Sequence, residues 1–213
     1  MFDFKVSIYY SIFKGMKSMK TTAIVLSGGK GSRMGYKEKA WIMHREKPLL
    51  SHVIDSVSTQ VDTILISRNN IKEPKYDKLP YKCISDQPYE LEHNAFPVRA
   101  QLGPLAGIRA CAMHVSTTFT LVVPCDLPRL PRNLVSELKS GIFDADIAVA
   151  FDGQIEQPLV FLAKTKVLET IDAYLISGKS SVKGWLNGVR RKRILFEDGE
   201  NLFENINTPD QTL

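Results

Sequence analysis

Apolar and polar residues fall in two kinds of block along this chain. Unbroken apolar runs occur at Thr22–Ser27, Asp62–Ser67 (DTILIS), Tyr81–Ser85, Phe119–Val123 (FTLVV), Asp146–Phe151 and Pro158–Ala163. Each is short and is closed by Gly, Pro, Asp or Ser, the pattern of a strand buried on both faces. Between them, apolar residues recur three and four positions apart. Leu49, Val53, Ile54 and Val57 come after Pro48, and Leu105, Ile108, Ala112 and Val115 after Gly103-Pro104. That spacing lines one face of a helix, and proline suits a helix's first turn. Further helices are predicted from Pro131, over Lys166–Ile176 and over Ser180–Val189. Strands alternating with helices predict one three-layer α/β/α domain around a mainly parallel central sheet. In such sheets ligands bind beyond the carboxyl ends of the strands, which directs attention to the residues just after Ser27, Ser67, Ser85 and Val123.

Residues 1–19 stand outside that alternation. Val6, Tyr9, Tyr10 and Phe13 fit an amphipathic helix, yet the apolar core and cleavage site of a secretory signal are missing. Met16 and Met19 both precede the first strand. The expectation is a loosely ordered extension, or a start assigned too early, with a single domain over 20–213. No apolar run is long enough to span a membrane.

Composition narrows the partners. A net charge of +5 and a pI near 9.0 suit phosphate-bearing small molecules, and would also suit nucleic acid. The run Arg190-Arg191-Lys192-Arg193 reads as a solvated basic turn, so no nucleic-acid partner is expected. Cys83, Cys111 and Cys125 have no CxxC spacing and read as reduced, packed thiols of a cytoplasmic protein. The four histidines form no zinc-binding set.

The candidate chemistry lies at the strand ends. After the first strand comes LSGGKGSRMG, Leu26 to Gly35, whose glycines let backbone amides approach phosphates while Lys30 and Arg33 add charge. It is neither a Walker A loop, which lacks its Gly-Lys-Ser/Thr register here, nor a Rossmann fingerprint, since Met34 stands where glycine is needed. Lys39 is placed to offset charge on a transferred phosphoryl group, though a lysine between Lys37 and Lys47 could equally be a solvated one. Asp126, in VVPCDLP, is a carboxylate at a strand's carboxyl end and suits Mg²⁺; it could instead cap the helix expected from Pro131. Asp86 ends the third strand in the same way.

These residues carry a resemblance. Leu26-Ser27-Gly28-Gly29, Arg33-Met34-Gly35, Lys39 and Lys47-Pro48-Leu49 resemble the signature of nucleotidyltransferases with a glycine-rich N-terminal loop. The ordered set GPLAG (Gly103–Gly107), PCDLP (Pro124–Pro128), QPL (Gln157–Leu159) and NINTPD (Asn205–Asp210) is similar to the molybdenum cofactor guanylyltransferase family, from about Thr22 to the C-terminus. The resemblance implies a Rossmann-like nucleotidyltransferase fold, GTP as donor, Mg²⁺ as cofactor and molybdopterin as acceptor. It also implies contact with molybdenum-cofactor biosynthesis proteins and apo-molybdoenzymes. Carried over by position, Leu26, Ser27, Gly28, Gly29, Lys39, Asp86 and Asp126 would contact GTP, and Asp126 would also hold the metal. Arg33 would lie against the triphosphate, and Asn207 beside the active site. Ser67 stands where the family usually has asparagine, with Asn69 as the substitute for base contact, and Ser180 stands where a basic residue is common. The segment Gln87–Leu102 is longer than the family's usual connection. Two other readings remain beside this one, a cytidylyltransferase for molybdopterin or another phosphorylated acceptor, and a nucleotide-binding adaptor without turnover.

Overall fold

The computed structural model describes residues 15, 19–27, 38–68, 73–85 and 103–206. Within them the strands are β1 (Thr21–Leu26), β2 (Met43–His44), β3 (Lys47–Pro48), β4 (Thr63–Arg68), β5 (Lys82–Ser85), β6 (Phe119–Pro124), β7 (Ile147–Phe151), β8 (Glu156–Lys164) and β9 (Arg191–Leu195). The helices are α1 (Leu49–Val57), α2 (Gly103–Ala112), α3 (Leu134–Gly141), α4 (Thr170–Ile176), α5 (Val182–Leu186) and α6 (Gly199–Leu202). Single 3-10 turns form at Lys39–Trp41, Tyr76–Lys78 and Thr165–Glu169.

Seven strands build one sheet in the order β5-β4-β1-β6-β8-β7-β9. β5, β4, β1 and β6 are mutually parallel, β8 runs against both β6 and β7, and β9 is parallel to β7. The sheet is therefore mainly parallel, as the apolar runs predict, with β8 reversed. Alternation along each strand sorts the side chains between two layers. On one face Ala23, Val25, Ile64, Ile66, Leu121 and Val123 meet Leu50 and Val53 of α1 and Leu134 and Leu138 of α3. On the other face Ile24, Leu65, Val122, Val149 and Phe161 meet Leu105 and Ile108 of α2, Ile171 of α4 and Trp185 of α5. Each fully buried Leu, Ile or Val in these layers contributes about 2 kcal/mol.

Several elements differ from the sequence expectation. The helix after Pro131 begins only at Leu134, because Gln60 binds the segment before it. Gln60 Nε2 donates to the Pro131 carbonyl at 3.0 Å while its Oε1 accepts from Val135 N–H at 3.0 Å, satisfying a first-turn amide. Asp126 lies well before this start and does not cap α3. Lys166–Ile176 divides into a 3-10 turn and then α4, and Ser180–Val189 shortens to α5 behind Ser181, whose Oγ accepts from Gly184 N–H. The basic run at 190–193 is no solvated turn: Arg191–Leu195 is the edge strand β9, and each cation of the run meets a carboxylate. The hairpin β2–β3 turns through Arg45 (φ 44°) and Glu46 (φ 66°), two left-handed non-glycine residues.

The described residues begin, apart from Gly15, at Met19, and the buried Lys139 anchors that point. Its Nζ donates to the Met19 carbonyl at 2.7 Å and lies 5.4 Å over the Phe119 ring, and burial lowers its pKa. At the far end of the sheet, Asp152 Oδ1 accepts from Gln154 N–H and Ile155 N–H, both at 2.7 Å, and Oδ2 accepts from Gln157 Nε2 at 2.6 Å. α6 starts hard against this turn. A Cβ on Gly199 would lie 2.4 Å from Asp152 Cα, so only glycine fits there.

Candidate active site

The carboxyl ends of β1, β4 and β6 are in register, with Leu26 opposite both Ser67 and Pro124. The ladder continues one step further on both sides. Ser27 N–H donates to the Ser67 carbonyl at 2.8 Å, and Cys125 N–H donates to the Leu26 carbonyl at 3.0 Å. Chain leaving β1 turns to β4 on one side, whereas chain from β5 crosses back to β6 on the other. The gap beyond β1 and β6 is the topological switch point, the place where ligands bind in open α/β sheets. Asp126 emerges there, one residue past Cys125.

Lys39 comes to the same place. Its Nζ donates to Asp126 Oδ2 at 2.9 Å, with the side chains 29% and 15% exposed, so the pair is partly shielded yet open to solvent. Lys39 opens the 3-10 turn that leads into the β2–β3 hairpin. The C-terminal segment closes on the same aspartate, since Ile206 N–H donates to the Asp126 carbonyl at 3.1 Å. The motifs at Lys39, Pro124–Pro128 and Asn205-Ile206 thus converge from three distant parts of the chain.

Two neighbours are tied into the frame. Leu26 packs under α2, and Ser27, 3% exposed, has its Oγ hydrogen-bonded to the Tyr76 hydroxyl at 2.5 Å. Cys125 is buried beside Asp126, and burial, with the aspartate's charge, pushes its thiol up to about 12. It remains a neutral packing group and supplies no thiolate nucleophile. Cys83 is also raised by burial. The reading of the cysteines as packed thiols agrees with this.

Around Tyr76 lie buried polar atoms with no hydrogen-bond partner within 3.5 Å among the described residues. These are both carboxylate oxygens of Glu38, the indole N–H of Trp41 and the Nε of Arg68. The Trp41 ring sits edge-on at 5.0 Å from Tyr76, the Arg68 guanidinium lies 5.4 Å over the same ring, and the Glu38 charge bears on its hydroxyl. Arg68 has one weak partner, Asp77 Oδ1 at 3.5 Å. Sequence reasoning passed over Glu38, Trp41, Arg68 and Tyr76, which belong to no periodic face. Glu38 precedes Lys39 directly, and that adjacency was the available signal.

Gly28, Gly29, Lys30, Arg33, Asn69, Asp86 and Asn207, together with the segment Gln87–Leu102, lie outside the described residues. Of the other predicted positions, Lys39 and Asp126 meet, and Leu26 and Ser27 support the strand end beneath them. Ser67 is buried, 2% exposed, at the end of β4. As a metal centre, Asp126 brings one hard oxygen ligand, and the described residues hold no cluster of three potential metal-binding side chains. A single carboxylate fits Mg²⁺, which is commonly held by one or two carboxylates with phosphate and water completing its shell.

Comparison with known proteins agrees with this geometry. The sequence model of the MobA-like NTP transferase domain matches residues 23–194. The chain is 37% identical to the molybdenum cofactor guanylyltransferase of Shewanella sp. (strain MR-4), over 91% of this chain and 94% of the relative. It is 35% identical to the enzyme of the same name from Shewanella piezotolerans, over 89% and 88%. Among solved structures, it resembles the molybdopterin-guanine dinucleotide biosynthesis protein A of Archaeoglobus fulgidus, with a TM-score of 0.68 at 21% identity, over 90% of this chain and 94% of that one. A 2-C-methyl-D-erythritol 4-phosphate cytidylyltransferase from Thermus thermophilus shares the fold at a TM-score of 0.61 and 15% identity, over 89% and 94%. By the reach of the sequence model and the identity to these relatives, the chain belongs to the MobA-like NTP transferase domain family.

Proposed function

We propose that this nucleotidyltransferase moves GMP from GTP to molybdopterin, giving molybdopterin guanine dinucleotide and pyrophosphate. The observation that carries the reading is the Lys39–Asp126 pair at the β1/β6 switch point, 2.9 Å apart and partly shielded. The relatives' names supply the donor base and the acceptor. In the proposed reaction a terminal phosphate oxygen of the acceptor attacks the α-phosphorus of GTP in line, and pyrophosphate leaves. Asp126 would hold Mg²⁺, which would supply positive charge to offset that of the phosphates. Lys39, beside Asp126, would add positive charge to the same phosphates, and Arg33 would lie along the triphosphate. The attacking group is already an anion, so the chain needs no general base.

Asn69 and Asp86 are proposed nucleotide contacts beyond the ends of β4 and β5, with the amides of Gly28 and Gly29 against the phosphates. No helix among the described residues is long and apolar enough to cross a membrane. We place the reaction in the cytoplasm, where GTP is made, with other proteins of molybdenum-cofactor synthesis and apo-molybdoenzymes as partners.

Nucleotide-dependent stabilisation with Mg²⁺ tests donor choice. A cognate nucleotide at a hundredfold excess over its Kd adds about 2.7 kcal/mol, or about 5–10 °C in Tm for a domain of this size. GTP should give that shift and ATP should not. A shift with CTP alone would replace guanylyl by cytidylyl transfer. Ser67, in place of the family's asparagine, makes CTP the comparison to include. No shift with any nucleotide would end the reading.

A further inference from the structure

Residues far apart in sequence meet at one phenol. Tyr76 is 1% exposed and stands in an isolated 3-10 turn between β4 and β5. Its hydroxyl shares a 2.5 Å hydrogen bond with Ser27 Oγ, and its ring meets Trp41 edge-on at 5.0 Å. Ser27 is the last residue before the glycine-rich segment at 28–37. Trp41 closes the turn after that segment, and Lys39, the residue reaching Asp126, opens the same turn.

We infer that Tyr76 is a positioning residue for nucleotide binding, joining the strand end that enters the glycine-rich segment to the turn that leaves it. The inference rests on the nucleotidyl-transfer reading above. The Lys39–Trp41 turn needs such a joint. Its backbone hydrogen bonds include Trp41 N–H donating to Glu38 O and Ile42 N–H donating to Lys39 O, each at 3.1 Å, and the buried Ala40 packs it on the core. A three-residue 3-10 turn has poor hydrogen-bond geometry and does not fix its own orientation. Ser27 is rigid, because its amide is already bonded to Ser67 O in the sheet. Tyr76 therefore transmits the sheet's position to the turn that carries Lys39.

The phenol suits this task. Burial, opposed by the Ser27 bond and reinforced by the Glu38 carboxylate, raises its pKa well above the ordinary value. The hydroxyl stays protonated, so the joint does not vary over working pH. Were Tyr76 only a core filler, phenylalanine would serve equally, since the ring contacts with Trp41 and Arg68 would persist.

Tyr76→Phe, Ser27→Ala and the double variant test the joint, read by steady-state pyrophosphate release with Mg²⁺, molybdopterin and varied GTP. Each single change should raise KM for GTP by about tenfold while kcat falls less, and the buried group left unpaired should lower Tm by a few degrees. The double variant should be no worse than the singles, because both remove one bond. Unchanged KM in both singles, or effects that multiply in the double, would overturn the inference. If Tyr76→Phe fails to fold, Ser27→Ala breaks the same bond with the ring intact. Should the wild-type chain release no pyrophosphate, the transfer reading fails, and calorimetric binding of Mg·GTP to the same variants still decides the role of Tyr76.

Discussion

The two ends of the central sheet treat their polar groups in opposite ways. At the β7–β9 end every cation of the 190–193 run is matched. Arg190 forks onto Asp146 at 2.9 and 3.0 Å, Arg191 and Arg193 share Glu156 at 3.3 and 2.5 Å, and Lys192 lies 3.9 Å from Asp144. At the β4–β1 end, Glu38, Trp41 and Arg68 keep buried polar atoms without hydrogen-bond partners among the described residues. Each such atom costs about 1–3 kcal/mol. A fold keeps uncompensated polar groups where something else uses them, and closes its charges where they only hold strands together. The unmatched end is also the end where Lys39 and Asp126 meet. Charge density alone would have pointed to the wrong one.

The sharpest way to break that contrast is at Asp126. Asp126→Ala should lower Mg²⁺-dependent pyrophosphate release by about a thousandfold, and Lys39→Ala by about a hundredfold, with circular dichroism and Tm little changed. The aspartate's side chain is outside the apolar core, so its loss leaves the packing intact. Near-normal release by Asp126→Ala would remove the functional meaning of the unmatched end. An unchanged rate for Lys39→Ala would leave its 2.9 Å contact as a surface ion pair.

How legible this was depends on whether the signal was local. The strand ends and Asp126 emerge from apolar runs and the residues that stop them, Lys39 from its place beyond the glycine-rich loop, and those patterns survive folding. β8 was legible as a strand but not as a reversed one, because an apolar run carries no direction. β9 was missed because RKRIL reads as a charged turn, whereas in the fold Asp144 and Glu156 pair with its three cations. The β2–β3 hairpin was missed because its turn uses Arg45-Glu46 rather than the Asn-Gly expected for two left-handed residues. Tyr76 was invisible for another reason. It sits in a polar stretch with no period, and its partner Ser27 is 49 positions away.

Glu156 tests the matched end. Burial alone would raise its pKa, but the hydrogen bonds from Arg193 and Arg191 outweigh that and hold the carboxyl below its ordinary value of 4.5. A depressed folded value means the charged form favours the fold. That contribution is complete above 4.5 and disappears as pH falls through the folded value. Glu156→Gln should therefore cost about 2 kcal/mol in urea unfolding at neutral pH, with the gap to wild type narrowing in acid. A gap that is constant down to low pH would mean that shape, not charge, holds β9 to its neighbours. Loss of transfer without loss of stability would make the matched end part of the site.

The smallest effect is expected at Arg190, and its smallness is informative. Its guanidinium is 72% exposed, so water already screens the bidentate contact with Asp146. Arg190 holds the Asp146 carboxyl below its usual range, and Lys164 Nζ, 3.6 Å away, adds to that pull and would remain in Arg190→Ala. The variant should melt indistinguishably from wild type and keep its KM for both substrates. A raised KM for molybdopterin alone would show that this cation serves the acceptor despite its partner. A density of positive charge would then matter more than whether each charge is matched, which is the opposite of what the two ends of the sheet teach.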